Sequence, residues 1–287
     1  GAIFWGTPLL QFYPWRHFAL ETLRAGYLPL WNPQVGMGAP LLANYQAALL
    51  YPPNWLLLVL PLDAGQGWLA VAHVVFAGWG MIALARRLGW GEFAQAVCAL
   101  SFALSGYMVA RLSFLTINNA AAWLPWLVWA AEGLVRASDD SRRRWQAAVL
   151  LGALFGLQLL AGHAQIAWYS ILLTAGWTIW RALKQRGAGS GERRVWSLEF
   201  GVWSLEFDVW SLVRTALWFA LALAWGAALA AVQLLPTAEL LANSQRAVGA
   251  NYDFVTTYSY WPWRLITLIA PNFFGSPATG DYHAYGA

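Results

Sequence analysis

The chain has 287 residues, of which 60% are apolar and only 10% are charged, and its formal net charge at pH 7 is +4. Soluble domains carry about 25% charged residues, so this composition excludes an ordinary soluble domain and predicts a polytopic membrane protein. The basic residues lie in loops between apolar segments and form no continuous basic face, so we expect no nucleic-acid partner.

The first 65 residues contain no segment long enough to cross a bilayer, and they begin with a pattern typical of an amphipathic interfacial helix. This helix is predicted over Pro14 to Leu23 and would end before Gly26. Its apolar side carries Trp15, and Arg16 is expected to lie away from that side.

A loop rich in proline and glycine follows. Its prolines and glycines at positions 29 to 40 are expected to exclude regular structure, while Trp31, Met37 and Leu41 would be poorly soluble if the loop were loose. We therefore expect the loop to pack against the outer ends of membrane spans, where loops are often functional. The segment Leu49–Leu62 is too short to cross and contains a proline pair, so it is predicted to be an interfacial helix or a re-entrant piece.

The middle of the chain predicts an all-α bundle of about six transmembrane helices over residues 66–235. A helix needs about 20 mostly apolar residues to cross the hydrocarbon core of a bilayer. Six segments meet this requirement: Gln66–Ala85, Glu92–Ala110, Leu115–Val135, Trp145–Gly162, Gln165–Leu183 and Arg214–Leu235.

The basic residues predict the sidedness of this bundle. Of the 17 lysines and arginines, two, four and six fall in the stretches Arg86–Arg87, Arg136–Arg144 and Arg181–Arg214. Basic loops stay on the cytoplasmic side, so residues 1–65 and 236–287 are expected to form two extracytoplasmic regions of a multi-pass membrane protein. The chain begins without a methionine or a signal-peptide pattern, so we expect a fragment with a further span upstream.

Two histidines interrupt the apolar pattern. The turn AGHAQ between the fourth and fifth spans places His163 and Gln165 at the outer surface. There His163 either faces lipid head groups or contacts a phosphate or a sugar. His73 lies within the first span, where a structural and a functional role are equally compatible with the sequence.

The inward loop at 186–213 contains a tandem repeat with a period of seven. From Val195 it reads VWSLEFG, VWSLEFD and VWSLVR, a period too short for a solenoid. We interpret the repeat as an in-frame duplication that lies on the membrane interface through its tryptophans. A partner-binding strand is the alternative.

The second outward region begins with QLLPTAELLANSQR. Gln233 is predicted to end the last span and Pro236 to begin an outer helix. On that helix Glu239 and Arg246 are seven residues apart and could pair. Arg246 could instead meet a lipid phosphate, which would leave Glu239 and Asp253 as the nearest carboxylates for base chemistry.

No Walker loop, dinucleotide fingerprint, HExxH motif or nucleophile elbow occurs. We therefore expect no soluble-enzyme cofactor, we assign no metal ligand, and a requirement for a divalent metal stays undetermined.

Four segments in order carry a resemblance to a known family: FYPWRHFALETLRAGYLPLWNPQVGMGAPLLANYQAALLYPPNW, GHAQ, QLLPTAELLANSQR and IAPNFFG. Together they resemble the YfhO-like bacterial membrane proteins. These are similar to the C-type membrane glycosyltransferase superfamily (GT-C), whose members move a sugar from a polyprenyl-phosphate donor to an envelope acceptor. The superfamily's base or metal ligand is typically an acidic residue in the first outer loop. The corresponding stretch, Phe4 to Tyr13, contains no aspartate or glutamate.

The resemblance implies a site at the outer interface, where membrane lipid and a lipid-linked sugar are the partners. Arginines would bind the lipid phosphate, and the candidates are Arg16, Arg246 and Arg264. Aromatic and polar side chains would bind the sugar, and the candidates are Trp31, Asn32, Asn44, Gln46, His163 and Gln165. A carboxylate would act as the base, and the candidates are Glu21, Glu239 and Asp253.

Two other functions remain open. The chain could be a non-catalytic accessory or structural subunit of a membrane complex, or a transporter for a lipid-linked sugar. The sequence identifies neither the sugar, the acceptor nor a protein partner.

Overall fold

The computed structural model describes residues 6–137, 140–187, 209–244, 247, 249, 252, 256 and 262–275, and most of them are helical, as the composition predicts. Residues Gly1–Leu240 form one compact unit, and Leu241–Ala287 form a second. The longest described element that lies wholly within the second unit is a 3₁₀ helix, Pro262–Leu268.

The predicted amphipathic helix is present as α1, Tyr13–Arg24, and a π-helical turn, Pro8–Phe12, leads into it. Gly26 follows the helix with a φ of 85°, a backbone conformation that glycine adopts easily at helix ends. The prediction that Arg16 lies away from the buried side is wrong. Arg16 is only 4% exposed, and it shares the buried face of α1 with Ala19 and Leu20.

The loop after α1 contains a short antiparallel hairpin, so the expectation of no regular structure is wrong there. Strand β1 (Trp31–Asn32) pairs with β2 (Ala39–Pro40). The ladder forms because Gly38 has a φ of 105° and leaves room for the Trp31 ring, which a Cβ at Gly38 would overlap. Leu41 is buried as expected, whereas Met37 at the tip is 99% exposed and does not pack.

Helices cover all six predicted spans. They are α2 (Leu62–Arg87), α3 (Glu92–Ala103), α4 (Gly106–Ala110), α5 (Leu115–Ala121), α6 (Leu124–Arg136), α7 (Ser141–Leu160), α8 (Ala164–Gly187), α9 (Val209–Leu229) and α10 (Ala231–Ala242). Three of the predicted spans are pairs of shorter helices, interrupted at residues 104–105, 122–123 and 230. The segment before α2 forms a 3₁₀ helix, Pro52–Leu58.

Three helical stretches are long and apolar enough to cross a membrane within the described part of the chain. They are Leu62–Arg87, Glu92–Ala110 and Leu212–Leu229. Length and apolar composition of this kind indicate a membrane protein.

Helices α7 and α9 pack closely because glycine faces glycine. Gly152 and Gly156 of α7 lie against Gly226 of α9, and a Cβ added at Gly226 would be 2.6 Å from the Gly152 carbonyl oxygen. Small residues of this kind let the backbones of membrane helices approach each other. The rings of Phe155 and Phe219 meet edge to face beside this contact.

Arginines from all three basic stretches lie at one end of the bundle, which we call the arginine end. Glu132 of α6 accepts hydrogen bonds from Arg136 at 2.7 Å and from Arg181 of α8 at 2.8 Å. Arg87, the last residue of α2, donates to the Trp129 carbonyl oxygen of α6 at 2.6 Å. The 26 residues of α2 extend about 39 Å, from Leu62 at the opposite end of the bundle to Arg87 at the arginine end. We call the end at Leu62 the loop end.

The helices that cover the last predicted span, Arg214–Leu235, begin and end at other residues than the span. α9 begins at Val209, so the third copy of the repeat starts a helix, while the copies at 195–208 lie outside the described residues. Pro236 does not begin an outer helix, because α10 already begins at Ala231 and includes it. The helix is interrupted at residue 230 instead. Pro236 therefore lies in the second turn of α10, where it has no backbone N–H to donate and one helical hydrogen bond is missing.

Candidate functional site

Two of the segments predicted to face outward are in direct contact at the loop end. The Tyr45 hydroxyl donates to the Leu159 carbonyl oxygen near the end of α7. Gly162, in the turn after α7, approaches so closely that a Cβ there would lie 2.7 Å from the Tyr45 carbonyl oxygen. Burial raises the pKa of Tyr45 to about 12, so its hydroxyl stays protonated and can donate at neutral pH.

A third segment, α10, reaches the same loop. The Gln233 amide donates to the Leu42 carbonyl oxygen at 2.8 Å, and the Thr237 hydroxyl lies 2.9 Å from the Ala43 carbonyl oxygen. Gln233 is buried, so these contacts fix the loop against the first two turns of α10. The loop end therefore brings together parts of the chain that are almost 200 residues apart.

Arg16 is a buried cation with unused donors. Its Nη1 reaches the Gln66 Oε1 of α2 at 3.5 Å, which is long for a hydrogen bond. Its Nε and Nη2 are buried and have no hydrogen-bond partner in the part of the chain that the structure describes. Among the described residues, no carboxylate forms an ion pair with it. Burial lowers the pKa of Arg16 to about 10, which corresponds to a desolvation cost of roughly 3 kcal/mol for the charged form. Arg16 therefore remains charged at pH 7, and the described ranges of the chain supply no counter-ion for it.

A small, partly open cavity lies beside Arg16. It measures about 30 Å³ and is lined by α1 and by the 3₁₀ helix Pro52–Leu58. Asn54 contributes to the wall, and its Oδ1 is also buried without a partner, while its Nδ2 donates to the Ala48 carbonyl oxygen at 2.9 Å. A space of this size admits one or two oxygen atoms. A buried guanidinium next to such an opening suits the oxygen atoms of an anion.

His73 has a structural role that explains its place within a span. Its Nδ1 lies 2.6 Å from the Leu69 carbonyl oxygen, so this nitrogen donates and its Nε2 accepts from the Tyr51 hydroxyl at 2.7 Å. The Tyr51 oxygen in turn accepts from the Trp123 Nε1 at 2.8 Å. Each polar atom in this series of hydrogen bonds is satisfied, and the series joins the loop before α2 to α2 itself and to the start of α6.

Of the four predicted sugar-binding residues within positions 31–46, two shape the loop and two are exposed. The Asn32 side chain is buried and accepts from the Gln34 backbone N–H at 2.9 Å, while Asn44 caps the short 3₁₀ helix that begins at Tyr45. Trp31 and Gln46 are exposed, although Gln46 accepts a hydrogen bond from Gln11 at 2.8 Å. Trp31 and Gln46 are therefore the accessible members of this group.

The turn residues His163 and Gln165 lie at the loop end, where Gly162 of the same turn approaches Tyr45. That this end faces the outside stays a prediction. The His163 Nδ1 accepts from the Ile166 backbone N–H at 3.3 Å, which caps the start of α8. Burial lowers the pKa of His163, so the neutral imidazole that this cap requires is favoured. Gln165 is exposed and donates to the Tyr169 hydroxyl at 2.7 Å.

The candidate carboxylates that the structure describes lie at the surface. Glu21 is exposed on α1 and its Oε1 is 3.5 Å from the His17 Nε2, and Glu239 is exposed on α10. Asp253 and Arg246 lie outside the described residues, so the predicted Glu239–Arg246 pair does too. Arg264 is half-buried in the second unit.

The buried carboxylate of Glu132 was not predicted from the sequence. Its side chain is completely buried, and besides the two arginines it accepts from the Trp177 Nε1 at 3.2 Å. An ionisable residue inside the predicted span Leu115–Val135 was the signal that could have identified it, because such residues need a partner in the bilayer.

No three histidine, cysteine, aspartate or glutamate side chains come together as a metal site within the described ranges. Comparisons of the chain with protein-family models, with curated proteins and with solved structures gave no match.

Proposed function

We propose that this protein is a membrane glycosyltransferase that takes a sugar from a polyprenyl-phosphate donor and transfers it to an envelope acceptor outside the cytoplasm. The observation that carries the proposal is Arg16, a buried cation with two unused donor nitrogens beside a partly open cavity at the loop end. A phosphate of the donor would supply the missing counter-ion. The resemblance of the sequence to the YfhO-like proteins supports the same chemistry.

The proposal includes a topology of six spans: α2, α3–α4, α5–α6, α7, α8 and α9–α10. The loop end faces outward and the arginine end faces the bacterial cytoplasm. Support comes from the opposite placement of the two ends along α2 and from the meeting of Arg87, Arg136 and Arg181 at one of them.

Cysteine labelling from the outer face tests this topology. In a background that carries Cys98→Ala, which removes the single native cysteine, we expect Met37→Cys to react with an impermeant maleimide and Ser141→Cys to react only after lysis. Both positions are exposed on the protein, so access from each side of the membrane decides the result. The opposite pattern would contradict the orientation and, with it, an outward-facing site.

In the proposed reaction, the acceptor hydroxyl oxygen attacks the anomeric carbon of the sugar, and the bond from that carbon to the phosphate oxygen breaks. Polyprenyl phosphate leaves with the bonding electrons, and Arg16 stabilises its added negative charge. The acceptor proton goes to a carboxylate base. Glu21, Glu239 and Asp253 remain the candidates for this base, and Glu21 is on the same helix as Arg16.

Replacing Arg16 with methionine separates a ligand-binding arginine from a structural one. We expect Arg16→Met to weaken the binding of polyprenyl phosphate by tenfold or more, roughly the loss of one charge-assisted hydrogen bond. We also expect the melting temperature to hold or rise, because the substitution removes an unpaired buried charge and keeps the apolar stem. Binding is measured with the purified protein in detergent, and stability by tryptophan fluorescence.

The matched control is Arg24→Met on the same helix, since Arg24 is exposed and donates only to the Leu58 carbonyl oxygen at 3.2 Å. This control should leave binding unchanged. A lower melting temperature with intact binding in Arg16→Met would assign Arg16 a structural role and remove the basis of the proposal.

A second function, transport of a lipid-linked sugar without chemistry, is favoured by one observation. The described candidate carboxylates are exposed at the surface, and none of them pairs with Arg16. Transfer of radiolabelled sugar from the donor to acceptor in reconstituted vesicles distinguishes the two functions, since a transporter would move the lipid and form no product.

A further inference from the structure

A second cationic site, distinct from Arg16, lies at the arginine end. A cleft of about 330 Å³ opens between the ends of α2, α6 and α7. Its polar side carries Arg87, Arg136, Arg143 and Gln146, while Ala147 and Leu150 form part of an apolar side. The volume lies in the range of small-molecule sites.

Among the described residues, the three arginines that line this cleft, together with Arg181 behind them, outnumber the carboxylates that pair with them. Glu132 is shared between Arg136 and Arg181, and Asp140 pairs with Arg143 at 3.2 Å. Arg87 contacts only neutral groups among the described residues, namely the Trp129 carbonyl oxygen and the Trp129 ring, whose centre is 3.9 Å from its Cζ. These four arginines and two carboxylates leave a net charge of +2.

Gly133 determines where the Arg87 guanidinium lies. A Cβ at Gly133 would come within 2.7 Å of the Arg87 Nη1. The absence of a side chain at this position lets Arg87 cross α6 and reach the wall of the cleft. Arg87 is thus held in place by a backbone carbonyl, an indole ring and a glycine, and no carboxylate among the described residues forms an ion pair with it.

We propose that this cleft binds the phosphate of an anionic phospholipid head group. Phosphate oxygens match the planar donors of arginine, and the apolar side chains that follow along α7 suit the start of an acyl chain. Basic pockets between membrane helices at the cytoplasmic surface bind anionic head groups in this way. Free phosphate has the same oxygen atoms as the head group, but it has no acyl chain to contact the apolar side of the cleft.

The test compares purified full-length protein in nanodiscs of phosphatidylcholine alone with protein in nanodiscs that also contain phosphatidylglycerol. Phosphatidylglycerol should raise the melting temperature of the unsubstituted protein and stay bound through transfer to detergent, as counted by native mass spectrometry. Arg87→Gln and Gly133→Ala should each reduce this retention about tenfold, by removing one charge-assisted contact or displacing it. Gly133→Ala keeps every charge and displaces the Arg87 Nη1 from the Trp129 carbonyl oxygen, while alanine gains helix propensity over glycine. The two effects oppose each other, so the melting temperature in phosphatidylcholine should stay within a few degrees of that of the parent protein.

The control is Arg86→Gln, which makes the same charge change one residue earlier, at an exposed position that does not line the cleft. Equal loss of lipid in Arg86→Gln would show general charge attraction and overturn the proposal. Inorganic phosphate in phosphatidylcholine nanodiscs is the second arm. Stabilisation there equal to that by phosphatidylglycerol would assign the cleft to a free anion and overturn the lipid assignment.

Discussion

Replacing Glu132 with glutamine is expected to lower the melting temperature by roughly 6–12 °C, or about 3 kcal/mol of unfolding free energy. The carboxylate is completely buried and binds two guanidinium groups. A glutamine would leave Arg136 and Arg181 without a counter-ion and would turn an amide N–H2 group toward their donors. We place the loss at the lower end of the range for buried pairs because the Arg136 side chain is 45% exposed and can turn to solvent.

Thermal unfolding in detergent, followed by tryptophan fluorescence, measures this effect. Glu92→Gln is the matched control, because Glu92 is an exposed glutamate in the first turn of α3 and its loss should cost less than about 1 kcal/mol. The double substitution Glu132→Leu with Arg181→Met should recover part of the stability, since it removes charges from both sides of the pair. A melting temperature for Glu132→Gln equal to that of the control would contradict the assigned charge balance.

The second large effect is expected at the contact between α7 and α9. Gly226→Ala should destabilise the protein by about 1–3 kcal/mol, because its new Cβ would press on the Gly152 carbonyl oxygen and on Phe155. A backbone carbonyl in a helix has no rotamer to change, so the two helices must separate. Gly152→Ala should act similarly, because its new Cβ would lie 2.6 Å from the Ala222 carbonyl oxygen.

Gly176→Ala in α8 provides a control of opposite sign. A Cβ there would meet nothing within 4 Å, so the higher helix propensity of alanine should raise stability by up to about 1 kcal/mol. All three variants can be compared by the same fluorescence melt. Destabilisation of equal size at Gly176 and Gly226 would show that each substitution weakens its own helix. It would contradict a specific effect on the contact between α7 and α9.

The helical bundle could be predicted because apolar length depends only on local sequence. The interruption at residues 104–105 was missed although it has a local signal. Ser105 caps α4 by accepting a hydrogen bond from the Met108 backbone N–H at 3.3 Å, and serine is a preferred residue at this position. The end of α4 depends on a residue outside the segment, because the Asn118 side chain of α5 donates to the Met108 carbonyl oxygen at 3.1 Å.

The packing of the loop residues could be predicted from the sequence, whereas the surroundings of Arg16 could not. Proline, tryptophan and amide residues indicated that residues 1–65 carry the polar chemistry, and the structure brings parts of this region to the turn at His163 and to α10. The burial of Arg16 was missed because it depends on Gln66, fifty residues later, and on the 3₁₀ helix Pro52–Leu58. A helical wheel predicts that α1 packs through one face only. In the structure the helix packs against both α2 and the 3₁₀ helix Pro52–Leu58.

The buried ion pair also has a consequence for biogenesis. Glu132 and Arg136 belong to one helix, but Arg181 follows Glu132 by 49 residues. At typical rates of translation those residues take roughly 3–10 s to synthesise. In the proposed six-span arrangement, α6 is synthesised before Arg181, so Arg136 alone offsets the negative charge of Glu132 at that stage. Transfer of α6 by itself into the lipid is then unfavourable. Helix α6 would therefore wait beside the insertion machinery until α8 arrives, and the two would enter the bilayer as a pair.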